Sequence, residues 1–335
     1  MGRLRQTWFA FVAIAMLGIA APAHAVDLRI AQQYGLSYLP LTIMRAQHLL
    51  QAQGTKQGVT ITPHWLQFTG GAPMNEALIS GNLDIATGGV APMLVIWART
   101  RGNLDVKGIA ALNSMPLYLN TTDAGVRTVA DFKPRDRIAL PAVRVSIQAI
   151  VLEMAAAKAF GEAGAKKLDD LTVSMSHPDG YAAMLSGKAG ITAHFTSAPY
   201  MYQELQHSNV HRVLNSYDVL GGPHTFNCLW ATQRFVQRNP KVMAAFMAAL
   251  REAEAFIGAH PNQAAQIWLH AQKSSSLSQD AVVKIIKDPE NRWSLNPRKI
   301  AVFGTFMAKV GLIPHAPASW TEVFFPETSG GLHGS

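Results

Sequence analysis

Hydrophobic and polar positions follow two periods along the chain, and the two periods alternate. Short apolar runs that are typical of strands occur at residues 27–33, 59–65 and 83–87. Apolar residues at helical spacing follow the first run and predict one amphipathic helix through Leu39, Ile43, Ala46 and Leu50. Shorter helices are predicted between Pro73 and Gly81 and from Pro92 onward, because proline is favoured in a first helical turn and glycine just past a last one.

The same succession returns in the second part of the chain. Residues 137–140, 171–175 and 191–194 have the pattern of strands, and a helix is predicted from an N-cap at Ser146 to about Phe160. A shorter helix is predicted over residues 181–186. A further strand at 226–232 and a long alanine-rich helix at 240–259 return the chain to the first half. We therefore predict an α/β protein with two similar lobes.

The N-terminus has the three regions of an export signal. Arg3 and Arg5 precede an apolar run at residues 8–21, which ends in the small-residue triplet Ala23-His24-Ala25. The apolar run is shorter than the ~20 residues that a membrane-spanning helix needs. We predict a Sec-type signal peptide of residues 1–25 and a periplasmic mature protein. The only cysteine, Cys228, excludes an intramolecular disulfide and lies far from the cleavage region.

Composition and charge narrow the function further. The formal net charge is +8, from 29 basic and 21 acidic residues, but the basic residues are scattered, with Lys166-Lys167 as the longest run. This scatter makes nucleic-acid binding an unfavourable interpretation, although a modest positive field would help to recruit anionic solutes. The chain has no nucleophile elbow, zinc-protease helix, P-loop, dinucleotide fingerprint or Cys-x-x-Cys. We therefore predict no catalytic residue, no metal ligand, no cofactor and no enzymatic activity.

Four loops lie after predicted strands and before predicted helices, and they carry most of the candidate ligand-binding residues. Ligands of open α/β sheets bind outside the carboxyl ends of the strands, where helix N-termini offer unpaired N–H groups. The candidates in these loops are Tyr34, Gly35, Tyr38, Thr69, Gly70, Gly71, Gly88, Gly89, Arg144, Ser146 and Gln148. The glycines would let the backbone approach a solute, Thr69 and Ser146 would donate hydroxyl groups, and Arg144 would pair with an anionic group. Ordinary turns and a surface arginine are the alternatives.

Three more candidates follow the later strands, and each has two open interpretations. His177, in His177-Pro178-Asp179-Gly180, either lines the cleft or belongs to an ordinary turn. His194 and Phe195 also follow a strand, and the ring of Phe195 either stacks on an organic solute or lies in the core. Tyr34, Tyr38 and Phe195 would bound the organic part of a solute.

The segment Ala77-Leu78-Ile79-Ser80-Gly81-Asn82-Leu83-Asp84-Ile85-Ala86, followed by Gly89 and Pro92, resembles a motif of one family of binding proteins. This family comprises the periplasmic solute-binding proteins of nitrate, sulfonate and taurine ABC importers, together with thiamine-precursor binding proteins. The passage from Val129 to Leu140 and the helix after Pro240 are also similar, so the resemblance spans most of the mature chain. Gly190 stands where the family usually has aspartate, which indicates a subgroup whose solute need not be the usual sulfonate.

The resemblance implies a type II periplasmic binding protein fold with a two-strand hinge. We expect lobe 1 to comprise residues 26–115 and 222–335, and lobe 2 to comprise residues 116–221. It also implies a monomer that captures a small, anionic organic solute by closing its lobes, with an ABC permease and an ATPase as partners. An aromatic carboxylate or a pyrimidine precursor of thiamine remains an alternative solute. An enzyme or a sensor on the same fold remains an alternative function.

Overall fold

The computed structural model describes residues 25–272 and 276–335, so the predicted signal peptide lies outside the described residues except for Ala25. In chain order the strands are β1 Ala25–Gln32, β2 Thr60–Gln67, β3 Ala86–Gly89, β4 Lys107–Ala111, β5 Tyr118–Thr121, β6 Ile138–Leu140, β7 Thr172–Ser174, β8 Ala193–Thr196, β9 His211–Asn215 and β10 Asn227–Ala231. Two groups of five strands result, and the strand order within each group defines the architecture.

The first group has the order β2-β1-β3-β10-β4. Strands β1 and β2 pair in parallel, and β10 pairs antiparallel with both β3 and β4. A parallel bridge between Ile30 and Ile85 joins β1 to β3, supported by a 2.9 Å hydrogen bond from the Ala31 N–H to the Ile85 carbonyl. The second group, β7-β6-β8-β5-β9, repeats this order and these directions, with β5 in the place of β10. The prediction of two similar α/β lobes is confirmed.

Two segments connect the sheets. The chain passes from β4 to β5 through residues 112–117 and returns from β9 to β10 through residues 216–226. This double passage is the two-strand connection expected of a hinge. The predicted lobe boundaries, between residues 115 and 116 and between 221 and 222, fall within these two segments and stay a prediction. Lobe 1 and lobe 2 are used below in that sense.

Helices cover the two sheets. They are α1 Leu39–Ala46, α2 Leu49–Lys56, α3 Gly71–Ile79, α4 Val90–Thr100, α5 Ile147–Phe160, α6 His177–Ser186, α7 Tyr200–Glu204, α8 Ser216–Leu220, α9 Gln233–Arg238, α10 Pro240–Ala259, α11 Pro261–Ala271, α12 Gln279–Lys287, α13 Ile300–Lys309, α14 Trp320–Val323 and α15 Pro326–Ser329. Short 3-10 turns occur at Leu36–Tyr38, Val129–Asp131, Glu162–Gly164, Asp169–Leu171 and Lys188–Gly190. The predicted helices at 147–160 and 240–259 have the predicted bounds.

Two predictions of helices were wrong in detail. The first amphipathic helix is two helices, because His48 adopts a left-handed φ of 53° between α1 and α2. The segment His177-Pro178-Asp179-Gly180 is the first turn of α6 and not an isolated loop. Ser176 caps this helix by accepting a hydrogen bond from the Asp179 N–H. Pro178 fits the first turn because proline lacks a backbone N–H and the helix needs no donor at that position.

Candidate functional site

A cavity of about 560 Å³ lies at the carboxyl ends of β1 and β2 in lobe 1 and beside the segment that follows β8 in lobe 2. Lobe 1 contributes the segment after β1 and part of α1, lobe 2 contributes α6 and the start of α7, and α11 forms a third side. The lining residues are Gln32, Gln33, Tyr34, Gly35, Thr42, Arg45, Gln67, Pro178, Tyr181, Pro199, Tyr200, Gln203, Trp268, Ala271, Gln272 and Ser276. A cavity of this size lies within the roughly 300–1,000 Å³ typical of small-molecule sites.

At three glycines the backbone of lobe 1 comes close to lobe 2. The Leu36 N–H donates to the Ala198 carbonyl over 2.9 Å, and a Cβ on Gly35 would lie 3.0 Å from the same oxygen. Gly35 also has a φ of 128°, which side chains disfavour. A Cβ on Gly70 would lie 3.0 Å from the Pro141 carbonyl oxygen, and one on Gly89 would lie 2.7 Å from Cγ2 of Ile147. Glycine at these positions is therefore what permits the lobes to approach this closely.

Aromatic side chains form the lobe 2 wall. The rings of Tyr200 and His177 are stacked with centroids 5.9 Å apart, and those of Tyr181 and Tyr200 are 6.0 Å apart. Burial, together with the neighbouring Tyr34, raises the pKa of Tyr200 to about 12, and burial also raises the pKa of Tyr181. Both hydroxyl groups are therefore neutral at physiological pH and can donate or accept a hydrogen bond.

Buried polar contacts hold this wall in place. His177 Nδ1 lies 2.8 Å from the Thr196 hydroxyl, and its Nε2 lies 3.5 Å from the Gln148 amide nitrogen. Burial, with a smaller contribution from His194, lowers the pKa of His177 well below 6.5, so its ring is neutral.

A second histidine behind the wall is tied to a buried carboxylate. His194 Nδ1 lies 2.6 Å from Glu204 Oε1, and the Asn120 amide donates to Glu204 Oε2 over 2.8 Å. His194 and Glu204 are completely buried, and together with Asn120 they connect β8, α7 and β5. These contacts fix α7, which carries Tyr200 at its first residue.

The lining of the cavity carries little formal charge. Among the described residues that line it, Arg45 is the only one with a formally charged side chain, and it lies exposed at the end of α1. The rest of the lining is neutral, with amide and hydroxyl groups beside the tyrosines. Such a lining can hold an uncharged organic body by contact and hydrogen bonds, and one anionic group at the arginine.

Eight of the candidates predicted from sequence lie in or near regions where the two lobes meet, in four different settings. Tyr34 and Gly35 line the cavity, and Gly70 and Gly89 form contacts between the lobes. Gln148, His177 and His194 are buried in or beside the polar contacts behind the tyrosine wall. Thr69 lines a separate cavity of about 530 Å³, together with residues of lobe 2 such as Ser176 and Asp179.

The remaining candidates are placed elsewhere. Tyr38 and Phe195 are packed inside two different hydrophobic cores, because both belong to segments that face inward, and they do not line the cavity. A Cβ on Gly71 would meet Pro92, and one on Gly88 would meet Gln33 and Trp230, so both glycines serve packing within lobe 1.

Arg144 and Ser146 also lie outside the cavity lining. Arg144 has a left-handed φ of 63°, and its side chain is 67% exposed and lies 3.9 Å from Asp170. Ser146 Oγ accepts from the Ala149 N–H over 3.3 Å and thereby caps α5, as predicted.

Sequence reasoning missed most of the side chains that line the cavity, notably Tyr181, Tyr200, Gln203 and Arg45. One signal was available. Ser197 to Tyr200 directly follow β8, as Gln33 to Gly35 follow β1, so the rule on strand ends applies to them too. Gln32, Gln33 and Gln67 lie at or just after the ends of β1 and β2, and Gln272 and Ser276 follow α11. The rest lie within helices, where the sequence pattern does not mark them.

Two lobes of equal strand order that face each other across a cavity define the periplasmic solute-binding protein fold. The aliphatic sulphonate-binding protein SsuA of Escherichia coli has this fold, with a TM-score of 0.63, 20% identity, and coverage of 87% of this chain and 94% of that one. The SsuA protein of Xanthomonas axonopodis pv. citri bound to MOPS gives 0.66 at 18% identity, with coverage of 94% and 100%. The nitrate-binding protein NrtA of Synechocystis PCC 6803 gives 0.68 at 15% identity, with coverage of 92% and 89%. These three neighbours are named as binding proteins and not as enzymes.

The family follows from the sequence. The NMT1/THI5-like family profile matches residues 66–264, which is more than half of the 335 residues. The chain belongs to the NMT1/THI5-like family. No curated protein sequence matches the chain. Within residues 25–272 and 276–335, no helix combines the length and apolar composition that crossing a bilayer requires.

Proposed function

We propose that the chain is the solute-binding component of an ABC importer and captures a small organic solute between its lobes by hinge closure. The observation that carries the proposal is the cavity of about 560 Å³ whose walls come from both lobes, next to the contact between Leu36 and Ala198. Opening at residues 112–117 and 216–226 would break that contact and expose the cavity. Closing would enclose the solute.

The lining favours a solute with a planar or otherwise bulky organic body and one anionic group. Tyr34, Tyr181 and Tyr200 present aromatic surface, and Arg45 supplies one cation. Nitrate would leave most of this volume unfilled, so an organic sulfonate or an aromatic carboxylate fits the proposal better. The modest positive charge of the chain would assist the capture of an anion.

The proposal also covers where the protein acts and which proteins it works with. The N-terminal pattern of residues 1–25 predicts export to the periplasm, where the protein would act as a monomer. A permease and an ATPase of the inner membrane would then be its partners. The solved neighbours support this role because the SsuA and NrtA proteins are named as periplasmic binding proteins.

The direct test is mass spectrometry of the solute released from gently purified mature protein. We expect one chemically unaltered organic anion per chain, which on addition to stripped protein raises the melting temperature through mass action. Arg45→Met should weaken its binding by about tenfold, equivalent to ~1.4 kcal/mol. Arg99→Met, at an exposed position near the end of α4, is the matched control and should leave binding unchanged. Release of a chemically converted compound would instead indicate an enzyme.

Hinge closure needs a separate measurement. Small-angle scattering should show a smaller radius of gyration for the protein with its released solute restored than for the stripped protein. An identical radius in both states, with binding confirmed by calorimetry, would contradict closure while leaving solute binding intact.

A further inference from the structure

A second large cavity lies where α5, α8 and α13 meet, and no residue lines both it and the cleft. Its volume is about 630 Å³. The lining is mainly apolar and comprises Met154, Ala157, Ala163, Ala165, Val219, Leu220, Val302, Phe306 and Val310. Val302 is 47% exposed, which is unusual for a large hydrophobic residue of this protein, so this apolar surface is open to solvent. We call this cavity the α5–α13 groove.

Three lysines line the same groove, and two of them have unusual partners. Lys158 Nζ donates to the Val219 carbonyl over 2.5 Å, and Lys166 Nζ donates to the Val310 carbonyl over 2.8 Å. The third, Lys309, is paired with Glu162. No carboxylate of the described residues lies within ion-pair distance of Lys158 or Lys166.

These contacts leave positive charge and donors at the groove. An ammonium group has three N–H donors, and a carbonyl partner orients it without neutralising it. Lys158 and Lys166 therefore hold two positive charges beside an apolar surface. Among the described residues that line the groove, the only acid is Glu162, which is already paired with Lys309. A ligand complementary to this surface has an apolar chain and an anionic head.

We propose that the α5–α13 groove is a second binding site, for a free amphipathic organic anion such as a medium-chain fatty acid. The alkyl chain lies against Val302, Phe306 and Leu220, and the carboxylate contacts Lys158 and Lys166. The groove volume is that of a small-molecule site. The proposal is independent of the solute that the cleft takes.

The binding test uses decanoate in calorimetry with the full mature chain. Decanoate should bind, and decyltrimethylammonium, with the same chain and the opposite charge, should bind at least tenfold more weakly. Val302→Glu places a carboxylate on the exposed apolar wall and should weaken decanoate binding at least tenfold. Ile79→Glu is the matched control, because Ile79 is 50% exposed on α3 of lobe 1 and should leave decanoate binding unchanged.

Two further variants test which residues contact the carboxylate of decanoate and whether decanoate binds in the groove or in the cleft. Replacing both Lys158 and Lys166 by Met should weaken decanoate binding at least tenfold and change decanol binding less than twofold. Tyr200→Ala, in the cleft, should not affect decanoate. The proposal is overturned if Val302→Glu, shown to be folded by its melting temperature, binds decanoate as the parent does. It is also overturned if both charged amphiphiles bind equally, or if the protein binds anionic vesicles but not free decanoate.

Discussion

The two lobes share one strand order, but they form their sides of the cleft with different kinds of residue. Lobe 1 meets its neighbour through backbone at Gly35, Gly70 and Gly89, where a Cβ would come within 2.7–3.0 Å of an atom of lobe 2. Lobe 2 presents the rings of Tyr181 and Tyr200, supported from behind by buried polar contacts. At this glycine wall the close approach depends on the absence of side chains, although Tyr34 and Arg45 of lobe 1 also line the cavity, whereas the second wall depends on rings held in position.

This difference shows that one architecture can divide shape and chemistry between its halves. A wall of glycine sets how closely the lobes approach, because any side chain there would hold them apart. A wall of neutral tyrosines sets what the cavity recognises, because its hydroxyl groups and ring faces are fixed by their neighbours. The two walls should therefore respond differently to substitution, one mainly in closure and the other in stability and recognition.

The largest effect is expected behind the lobe 2 wall. The Glu204 side chain makes two buried hydrogen bonds, one with Asn120 and one with His194. Glu204→Ala removes both bonds and leaves Asn120 and His194 buried without this partner. The free energy of unfolding should fall by about 3–5 kcal/mol, the usual cost of breaking a buried ionic or charge-assisted contact. Urea denaturation measures it. Glu76→Ala, at an exposed position on α3, is the control and should change stability by less than about 0.5 kcal/mol. Equal losses for the two variants would show that the buried contact is not what holds α7.

The next largest effect is expected at the glycine wall. A Cβ on Gly89 would lie 2.7 Å from Cγ2 of Ile147, a stiff β-branched side chain in the first turn of α5. Gly89→Val should hold the lobes apart and weaken solute binding about 100-fold, or ~2.8 kcal/mol, with little loss of stability. Calorimetry with the released solute measures this. Gly258→Val, at an exposed helical position with no atom within 4 Å of the added Cβ, should bind as the parent does. Undiminished affinity in Gly89→Val would mean that closure does not bring these surfaces together.

Substitutions in the lobe 2 wall of Tyr181 and Tyr200 should reduce solute affinity less than Gly89→Val does. Tyr200→Ala removes a ring that lines the cavity and stacks on His177, and the affinity for the released solute should fall about tenfold. Tyr200→Phe keeps the ring and should lose less, in proportion to the hydrogen bond of the hydroxyl group. Tyr217→Phe is a useful contrast, since the Tyr217 hydroxyl donates to the Glu290 carbonyl outside the cavity. That variant should lose stability and retain affinity.

The stability of the protein should depend on pH because His177, which supports the same wall, is neutral in the folded state. His177 has its pKa lowered below 6.5 by burial, so below pH 6.5 the unfolded chain binds a proton that the folded chain does not. The stability of the parent is therefore full above pH 6.5 and declines as the pH falls, by at most about 1.4 kcal/mol per pH unit. In His177→Gln this contribution is missing, so the stability advantage of the parent should narrow between pH 7.5 and pH 5.5 in urea denaturation. A constant difference would show that His177 titrates normally in the folded state.

The contrast between the walls also explains how much the sequence could predict. The alternation of strands and helices predicts both lobes because it depends on local periodicity, and the cap at Ser146 depends on one local hydrogen bond. Gly35, Gly70 and Gly89 were singled out for the same reason, since strand ends and glycines are visible along the chain, but as residues that approach a solute and not as contacts between the lobes. Tyr200 was missed because its ring is positioned by His177 across two elements, a tertiary contact without a local pattern. The break at His48 depends on one left-handed residue that no periodicity marks.

Arg144 provides the smallest expected effect and the sharpest check of where the anion binds. The sequence analysis placed Arg144 at the cleft, whereas its side chain is 67% exposed, its guanidinium lies 3.9 Å from Asp170, and it does not line the cavity. An exposed pair at this distance contributes little, so Arg144→Ala should change stability by less than about 1 kcal/mol. Its affinity for the solute should change less than twofold in calorimetry, whereas Arg45→Met should show the larger loss. If the order were reversed, the anion would bind at the mouth beside α5, and the cation of the site would come from lobe 2 and not from lobe 1.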